Sequence, residues 1–223
     1  MTSAIQYQGR KARRAGSEQR RRAILEAALR IIIRDGVRSV RHRAVAKEAD
    51  VPLSATTYYF KDITDLIADT FTLFAEQAMH DVIEPFRDQA FALIDGVPAQ
   101  MSDEQRQSLL ATLAEMTAAY VINEVHNMRD HLIAEQAFLH EALLDERLRE
   151  LAAVYKQKQL DVLAGACERL GSKEPVLDAE VFFAVLYGIE QDMLAAPDKY
   201  TEADVRARVA HTLEMMARTT QAS

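Results

Sequence analysis

The stretch Val37 to Phe60 constrains the fold most, because its sequence, VRSVRHRAVAKEADVPLSATTYYF, has the pattern of two short helices joined by a tight turn. Small and apolar residues between Arg41 and Glu48 predict a first helix that another helix can approach closely. Pro52 has no N–H and disfavours helical backbone in the residue before it, so the helical path breaks there. Asp50 is one of the few non-glycine residue types that accept the left-handed backbone such a turn often needs.

A second short helix is predicted from Ser54 to Tyr59, with the Ser54 hydroxyl as its N-terminal cap. It carries hydroxyl groups and no carboxylate, which suits a surface that lies against phosphates and base edges. The two helices therefore predict a helix-turn-helix whose second helix recognises DNA. Arg43 and Thr56 are expected nearest the bases, and the full set of candidate DNA-binding residues is Arg43, Ser54, Thr56, Thr57, Tyr58, Tyr59 and Lys61.

Several segments resemble, in order and spacing, the N-terminal domain of the TetR/AcrR family of transcriptional regulators. They are Arg22-Ala-Ile-Leu-Glu-Ala-Ala-Leu, Gly36, Val45-Ala46, Ala49-Asp50-Val51, and Tyr58-Tyr59-Phe60 followed by Leu66. The resemblance covers the first third of the chain. It implies an all-α protein with an N-terminal three-helix helix-turn-helix head and a C-terminal helical body for ligand binding and dimerisation.

The sequence departs from the family pattern at four positions of this head. Asp50 stands where the family usually has glycine, and Arg41 stands where it usually has a capping threonine. Thr57 replaces a tyrosine that often contacts phosphate, and Ile63 replaces a phosphate-binding lysine, which leaves Lys61 as the nearest substitute.

The net charge of −7 is divided unevenly along the chain. Residues 1–61 contain 14 Lys or Arg against 5 Asp or Glu, whereas the remainder contains 13 against 29. Because DNA affinity depends on local neutralisation of phosphates, a basic head favours nucleic-acid binding even on an acidic chain. The alternative is that the Arg-rich residues 10–22 are only a solvated tail.

Residues 1–19 are small, polar and basic, and are predicted to form a disordered arm. The helix-turn-helix domain is assigned to residues 20–65. Its first helix is predicted from Arg20 to Asp35 by apolar residues at helical spacing, and Gly36 is expected to close it. The arginines that lie mostly off the apolar stripe are expected to face water or DNA; they are Arg21, Arg22, Arg30 and Arg34.

Residues 66–223 are assigned to the ligand-binding and dimerisation domain. Few prolines and glycines favour long helices there. One such helix is predicted from Ile63 to about Glu84, where Pro85 interrupts it. Ser102 and Thr201 are predicted N-terminal caps, and Gly171 is expected to close a helix that extends to Leu170.

Polar groups among the apolar stripes of the middle helices are the candidates for contact with a small molecule. Tyr120 and Glu124 lie one turn apart, and His131 or Tyr155 could face them. Tyrosine is also commonly buried as an ordinary core residue, so both interpretations stay open. The candidate ligand-binding residues are Phe91, Met116, Tyr120, Glu124, His131, Phe138 and Tyr155.

The last two helices carry an apolar arc wider than one neighbour should cover. The resemblance implies that these helices pair with their copies in a second subunit, although the arc could equally be buried within one chain. Gly188 costs ~1 kcal/mol against alanine in mid-helix, which favours close approach of another helix. The candidate interface residues are Phe182, Val185, Tyr187, Gly188, Ile189, Val205, Val209 and Met216.

No catalytic, metal or cofactor site is predicted. None of the six histidines follows a glutamate by three residues, and Walker A, dinucleotide and GxSxG patterns are absent from the sequence. The single cysteine, Cys167, cannot form an internal disulfide, which suits a reducing cytoplasm. A lone cysteine on an apolar stripe indicates packing more often than redox sensing.

Together these features predict a cytoplasmic, homodimeric repressor that a small molecule releases from a palindromic operator. Its predicted partners are double-stranded DNA, a second copy of the chain and an unidentified effector, without a membrane. One alternative is a DNA-binding dimer that has no effector. The other is a helical protein-interaction module whose basic head binds an acidic partner.

Overall fold

The computed structural model describes Tyr7 and residues 15–98, 100–197 and 199–221, and these residues form an all-α fold without strands. A 3-10 turn spans Val37–Ser39 and a π-helical turn spans Met79–Ile83. The α-helices are α1 Ala15–Asp35, α2 His42–Glu48, α3 Leu53–Tyr59, α4 Ile63–Ala78, α5 Glu84–Asp95, α6 Asp103–Asn127, α7 Arg129–Ala142, α8 Glu146–Arg169, α9 Pro175–Ala195 and α10 Glu202–Gln221.

The chain forms two compact units. Unit 1 comprises Met1–His80 and Asp130–Lys156, and unit 2 comprises Asp81–Arg129 and Gln157–Ser223. The two units are defined by packing, whereas the predicted boundary after residue 65 separates a DNA-binding role from a ligand-binding and dimerisation role, so the two divisions differ. The assignment of residues 20–65 to DNA binding and of 66–223 to ligand binding and dimerisation therefore stays a prediction.

In unit 1, α1 packs against α2, α3 and α4, and α2 packs against α3. The predicted apolar stripe of α1 is buried, including Ile24, Ala28 and Ile32. Val45 of α2 and Phe60, which follows α3, are also fully buried in this core. Burial of apolar surface is the main force that holds such short helices in place, and it contributes about 25 cal/mol of stabilisation for each Å² removed from water.

Positive backbone angles occur where the sequence predicts them. Gly36 closes α1 with φ of 83°, and Gly171 follows α8 with the same angle. Asp50 has φ of 51° in the turn between α2 and α3. The left-handed turn that the family usually builds on glycine is therefore built here on aspartate, which tolerates it.

Two predicted helix starts in unit 1 are wrong. Helix α1 begins at Ala15 rather than Arg20, so residues 15–19 are helical and do not belong to a disordered arm. The remainder of that arm lies outside the described residues, apart from Tyr7. Helix α3 begins at Leu53 after Pro52, which has no side-chain capping bond, so Ser54 lies inside the helix and does not cap it. The fixed φ of proline already suits a helix start, and no serine cap is needed.

The predicted long helix from Ile63 to about Glu84 is helical throughout, because α4 leads directly into the π-helical turn Met79–Ile83 and that turn leads directly into α5. The predicted interruption at Pro85 is wrong, since Pro85 lies in the first turn of α5. Pro85 follows the π-helical turn directly, where the regular i→i−4 bonding has already changed, so the helical path continues past this proline.

Unit 2 contains a bundle in which α6 packs against α5, α9 and α10, and α9 packs against α10. Both predicted caps are confirmed. Ser102 and Gln105 form a reciprocal capping box at the start of α6. Thr201 and Asp204 do the same for α10, and the bonds that Thr201 donates hold the pKa of Asp204 below its usual value.

Candidate DNA-binding surface and ligand cavity

The helix-turn-helix exposes part of its predicted DNA-binding set. Arg43 on α2 is exposed, and so are Ser54, Thr57 and Tyr58 on α3, which follow one another at helical spacing. Tyr58 is 55% exposed, and Lys61 is exposed just beyond α3. Outward-facing hydroxyls on α3 and a cation on α2 are the groups that contacts to phosphates and base edges require.

Four arginines of α1 pair with carboxylates, and they are Arg21, Arg22, Arg30 and Arg34. Arg30 and Arg34 bond to Glu48 at 3.1 and 3.3 Å, and these bonds keep the pKa of Glu48 below its usual value. Within the described part of the chain, Arg43 and Lys61 have no acidic partner. Their charges therefore remain available for an anionic partner.

Lys47 is an exposed cation that sequence reasoning missed. It lies one turn after Arg43 on α2, and no described carboxylate pairs with it. The signal was present in the sequence, because residues at i and i+4 of a helix share a face.

Thr56 and Tyr59 correct the predicted set. Thr56 is fully buried and its hydroxyl donates to the carbonyl of Leu53 at 2.9 Å, so it cannot contact a base in this structure. Tyr59 is buried and its hydroxyl shares a hydrogen bond of 2.9 Å with Ser17 of α1. These two side chains hold α3 against the rest of unit 1, while Ser54, Thr57 and Tyr58 face outward.

A buried ion pair joins α1 to α4. Arg21 donates to Asp69 at 2.6 Å, and the two side chains are 4% and 0% exposed. The Arg21 guanidinium also lies 5.6 Å from the ring of Phe60 and over the ring of Tyr7, whose hydroxyl donates to Glu76 of α4. Arg21 was expected to face water or DNA; it is a core residue instead.

Unit 2 contains a cavity between α5, α6, α8, α9 and α10, in which the centre of a water molecule has about 70 Å³ to move. Its walls are mostly apolar, with Phe86, Leu113 and Phe182 among them. The polar lining side chains are Arg106, Thr117, Cys167, Ser172 and Asp178. A concave apolar site with a few polar groups is the usual form of a small-molecule site.

Comparison with known proteins agrees with this arrangement. The sequence model of the family described as Tetracyclin repressor-like, C-terminal domain matches residues 108–216. A TetR-family member from Streptomyces coelicolor A3 is 25% identical over 87% of this chain and 98% of its own, with a TM-score of 0.64. The chain is a TetR-family transcriptional regulator. No curated protein matches it.

Two further solved structures resemble this TetR-family regulator. A transcriptional regulator from Streptomyces coelicolor A3(2) is 25% identical, with 91% of this chain and 98% of that chain covered and a TM-score of 0.64. The multidrug binding protein EbrR, complexed with proflavin, is 26% identical, with 86% and 99% covered and a TM-score of 0.55. The N-terminal resemblance and the C-terminal family match together identify a DNA-binding transcriptional regulator.

The seven predicted ligand-binding residues do not come together. Met116 is the one that lines the cavity of the regulator. Phe91 packs instead on Gly165 and under the Arg169 guanidinium, 3.8 Å from its ring centre. The ring of Tyr120 packs at a tilt against that of Phe86, with 4.5 Å between ring centres, and Glu124 is buried elsewhere on α6.

The other three predicted ligand residues lie in unit 1. Phe138 is fully buried, 4.8 Å from Phe71, and Tyr155 and His131 pack on Phe74 at 5.9 and 4.9 Å. These rings form an aromatic core rather than a lining of the unit 2 cavity. Helical periodicity identifies buried stripes, but it does not show which stripe borders empty space.

Half of the predicted interface residues are core residues of the regulator's own unit 2. Phe182, Ile189, Val205 and Val209 are buried within the chain, so they cannot form the surface of an interface. Met216 lines the cavity. Val185 and Tyr187 are partly exposed and Gly188 is exposed.

An apolar strip nevertheless remains uncovered along α9, which we name the α9 face. Leu177 and Val181 are 51% and 47% exposed, and Ala184, Gly188 and Ala195 continue at helical spacing. A Cβ added to Gly188 would meet no atom within 4 Å, so the chain's own packing does not require glycine there.

The described residues contain no group of three or more His, Cys, Asp or Glu that could hold a metal ion. None of the described helices is long and apolar enough to cross a membrane.

The cysteine in the cavity wall is expected to react slowly. Burial, and to a smaller extent the nearby Asp178 carboxylate, raise the pKa of the Cys167 thiol from 9.0 to about 11. A thiol whose pKa is higher by two units has about 100-fold less thiolate at neutral pH than an ordinary thiol, and the thiolate is the reactive form. Alkylation by iodoacetamide should therefore be about 100-fold slower in the folded chain than in concentrated urea, and should accelerate as the pH rises from 7 to 9. Equal rates in the two states would contradict a buried, protonated thiol.

Proposed function

We propose that this regulator is a homodimeric repressor that binds a palindromic operator and leaves it when a small molecule enters unit 2. The single observation that supports DNA recognition most directly is the outward-facing set Arg43, Lys47, Ser54, Thr57 and Tyr58, whose two cations have no described acidic partner. Thr56 and Tyr59 are removed from the contact set.

Each recognition helix would enter a major groove, with two half-sites about 34 Å apart in a symmetric dimer. Arg43 would contact base edges or the nearest phosphates, Ser54 and Thr57 would reach both, and Tyr58, Lys47 and Lys61 would contact phosphates. An exposed tyrosine hydroxyl and a lysine ammonium both donate to phosphate oxygens.

The second subunit would cover the α9 face. The strip from Leu177 to Ala195 extends over about 27 Å at 1.5 Å per residue, and a large exposed apolar strip commonly marks an interface. The open space around Gly188 allows a partner helix to approach closely. A two-fold axis would pair this strip with its own copy.

Ligand release would follow from differential affinity. A molecule releases the operator only if it binds the unit 2 conformation of the free protein more tightly than that of the DNA complex. The cavity supplies a place for such a molecule, and the similar protein EbrR has been solved with proflavin and with imidazole.

Selection of bound fragments from random duplex DNA by the purified chain tests the proposal directly. We expect an inverted repeat whose half-site centres are one helical turn apart. Affinity for that duplex should fall steeply with salt, because each neutralised phosphate contributes about 0.9 to the slope of log K against log salt. Recovery of no shared sequence, with a shallow salt slope, would overturn the proposal.

Two substitutions separate base contacts from phosphate contacts. Lys61→Ala should weaken binding to the selected and to a scrambled duplex alike, and should lower the salt slope by about 0.9 per subunit. Arg43→Ala should cost about 1–3 kcal/mol on the selected duplex and less on the scrambled one. The control is Lys173→Ala, an exposed lysine outside the helix-turn-helix, which should change neither quantity. Fluorescence anisotropy at several salt concentrations measures all three variants.

A further inference from the structure

Side chains from about three turns of α6 line the cavity in unit 2. The side chains that α6 contributes recur at helical spacing and are Arg106, Leu109, Leu110, Leu113, Met116 and Thr117. Eleven residues separate the first from the last, which corresponds to about 16 Å along the helix axis. A narrow, extended molecule fits such a lining better than a broad ring system.

The cavity volume limits the size of the occupant. One water molecule needs about 10–15 Å³ of the volume in which its centre can move. The 70 Å³ of this cavity therefore holds roughly five to seven waters. Each water occupies about 30 Å³ in the liquid, so the space suits a molecule of about ten non-hydrogen atoms.

Two polar groups of the lining have no partner among the described residues. Thr117 is only 4% exposed, yet its hydroxyl makes no hydrogen bond to any described residue, whereas buried hydroxyls are normally bonded. Arg106 is partly buried at the other end of the α6 lining and pairs with no described carboxylate. A ligand that brings an anion to Arg106 and an oxygen to Thr117 would satisfy both.

The one carboxylate of the lining is already engaged. Asp178 accepts a hydrogen bond from Ser172 at 2.5 Å and lies near the N-terminus of α9, where the helix dipole favours negative charge. Cys167 stays protonated and neutral at physiological pH, because burial raises its pKa to about 11. Among the described residues, Arg106 is therefore the charged group of the lining whose side chain has neither a hydrogen-bond partner nor a counter-charge, whereas Asp178 is held by Ser172 and by the helix dipole.

We infer that the effector is a medium-chain carboxylic acid with a hydroxyl or carbonyl oxygen near its far end. Its carboxylate pairs with Arg106, its methylene chain lies along the leucines of α6, and its distal oxygen hydrogen-bonds to Thr117. This inference rests on the proposed function, since it names the chemical class of the small molecule that enters the cavity.

Four probes of matched length test it by calorimetry on the full chain: octanoate, 8-hydroxyoctanoate, 1-octanol and octylammonium. We expect octanoate to bind at least about tenfold more tightly than 1-octanol or octylammonium, and 8-hydroxyoctanoate more tightly still. Each bound probe should also protect Cys167 from alkylation, because that thiol lines the same cavity. Tightest binding of octylammonium would assign charge selection to Asp178 and overturn the inference.

Variants assign the two contacts. Arg106→Gln should remove the preference for octanoate over 1-octanol, and Arg106→Lys should restore part of it. Thr117→Val should remove the preference for 8-hydroxyoctanoate over octanoate and leave octanoate binding unchanged. Arg129→Gln, an exposed arginine outside the cavity, is the matched control and should alter neither preference. Preferences that persist in Arg106→Gln and Thr117→Val, with an unchanged helical circular dichroism spectrum, would contradict the assignment.

An operator-release assay run in parallel distinguishes the two levels of failure. Binding of 8-hydroxyoctanoate without release of the selected duplex would refute ligand-controlled release while leaving the ligand class intact. Release by a cell extract, with none of the four probes bound, would refute the ligand class while leaving ligand control intact.

Discussion

Asp69→Ala is expected to lower the free energy of unfolding by about 3–5 kcal/mol, the largest loss of stability among the changes considered for unit 1. The carboxylate of Asp69 is fully buried and accepts from Arg21 at 2.6 Å, so its removal leaves a buried guanidinium without that counter-charge. Urea unfolding followed by helical circular dichroism measures the effect as a shift of the midpoint at unchanged slope.

Two controls separate an unpaired buried charge from a simple loss of contacts. Arg21→Met combined with Asp69→Leu removes both charges and should recover most of the stability, because an apolar pair of similar volume often replaces a buried ion pair at little cost. Asp35→Ala breaks the exposed pair with Arg34 and should change stability by less than about 1 kcal/mol. A loss in Asp69→Ala no larger than that in Asp35→Ala would contradict the importance of the buried pair.

The same substitution should also weaken DNA binding. The Arg21 guanidinium lies 5.6 Å from the ring of Phe60, the buried residue that follows α3. Movement of Arg21 would loosen the packing that orients Ser54, Thr57 and Tyr58, although none of these side chains touches Asp69. The double variant should regain operator affinity together with stability.

Several helix ends in both units could be predicted from local signals in the sequence. Gly36, Asp50 and Gly171 mark chain reversals through backbone angles that few other residues accept, so their positions predict the ends of helices. The capping boxes at Ser102 and Thr201 are equally local signals. Each of these features depends on residues within a few positions of one another.

Which hydroxyls of α3 face outward was not predictable in the same way. Helix α3 is seven residues long, and serine, threonine or tyrosine occurs on both of its faces, so polarity does not distinguish the buried side. The hydroxyls of both Thr56 and Thr57 donate to the Leu53 carbonyl, yet Thr56 is buried and Thr57 is exposed, so this local bond does not decide which residue is the inner one. Tyr59 lies on the inner side, where its hydroxyl shares a hydrogen bond with Ser17, 42 positions away in the sequence. Periodicity carries no information on a partner that distant.

The cavity and the buried ion pair could not be predicted from the sequence, because both depend on how elements distant in the sequence pack together. Arg21 is one of several arginines in a basic run, and only the position of α4 shows that Asp69 lies opposite it. Five helices of unit 2 surround the cavity, and its existence depends on how completely their side chains fill the space between them. A stripe of leucines on α6 predicts burial whether or not a void remains beside it.

Val181→Arg is expected to weaken dimer formation by at least about 100-fold. In a two-fold symmetric pair each substitution occurs twice, and it would place two guanidinium groups in an apolar interface. A total cost of about 3 kcal/mol already corresponds to about 100-fold in the dissociation constant. Sedimentation equilibrium over a range of protein concentrations measures it, and unchanged helical content shows that each subunit remains folded, since Val181 is exposed in the chain itself.

Leu144→Arg is the matched control, because Leu144 is 61% exposed in the turn before α8 and receives the same change from an apolar to a charged side chain. It should leave the dimer intact. Dissociation in Leu144→Arg, with an intact dimer in Val181→Arg, would move the interface away from the α9 face. Operator binding gives an independent readout, because a dissociated subunit binds one half-site without the effective concentration that its linked partner supplies. Val181→Arg should therefore lose at least about 100-fold in affinity for the two-half-site duplex, while its affinity for a duplex with a single half-site stays that of the parent.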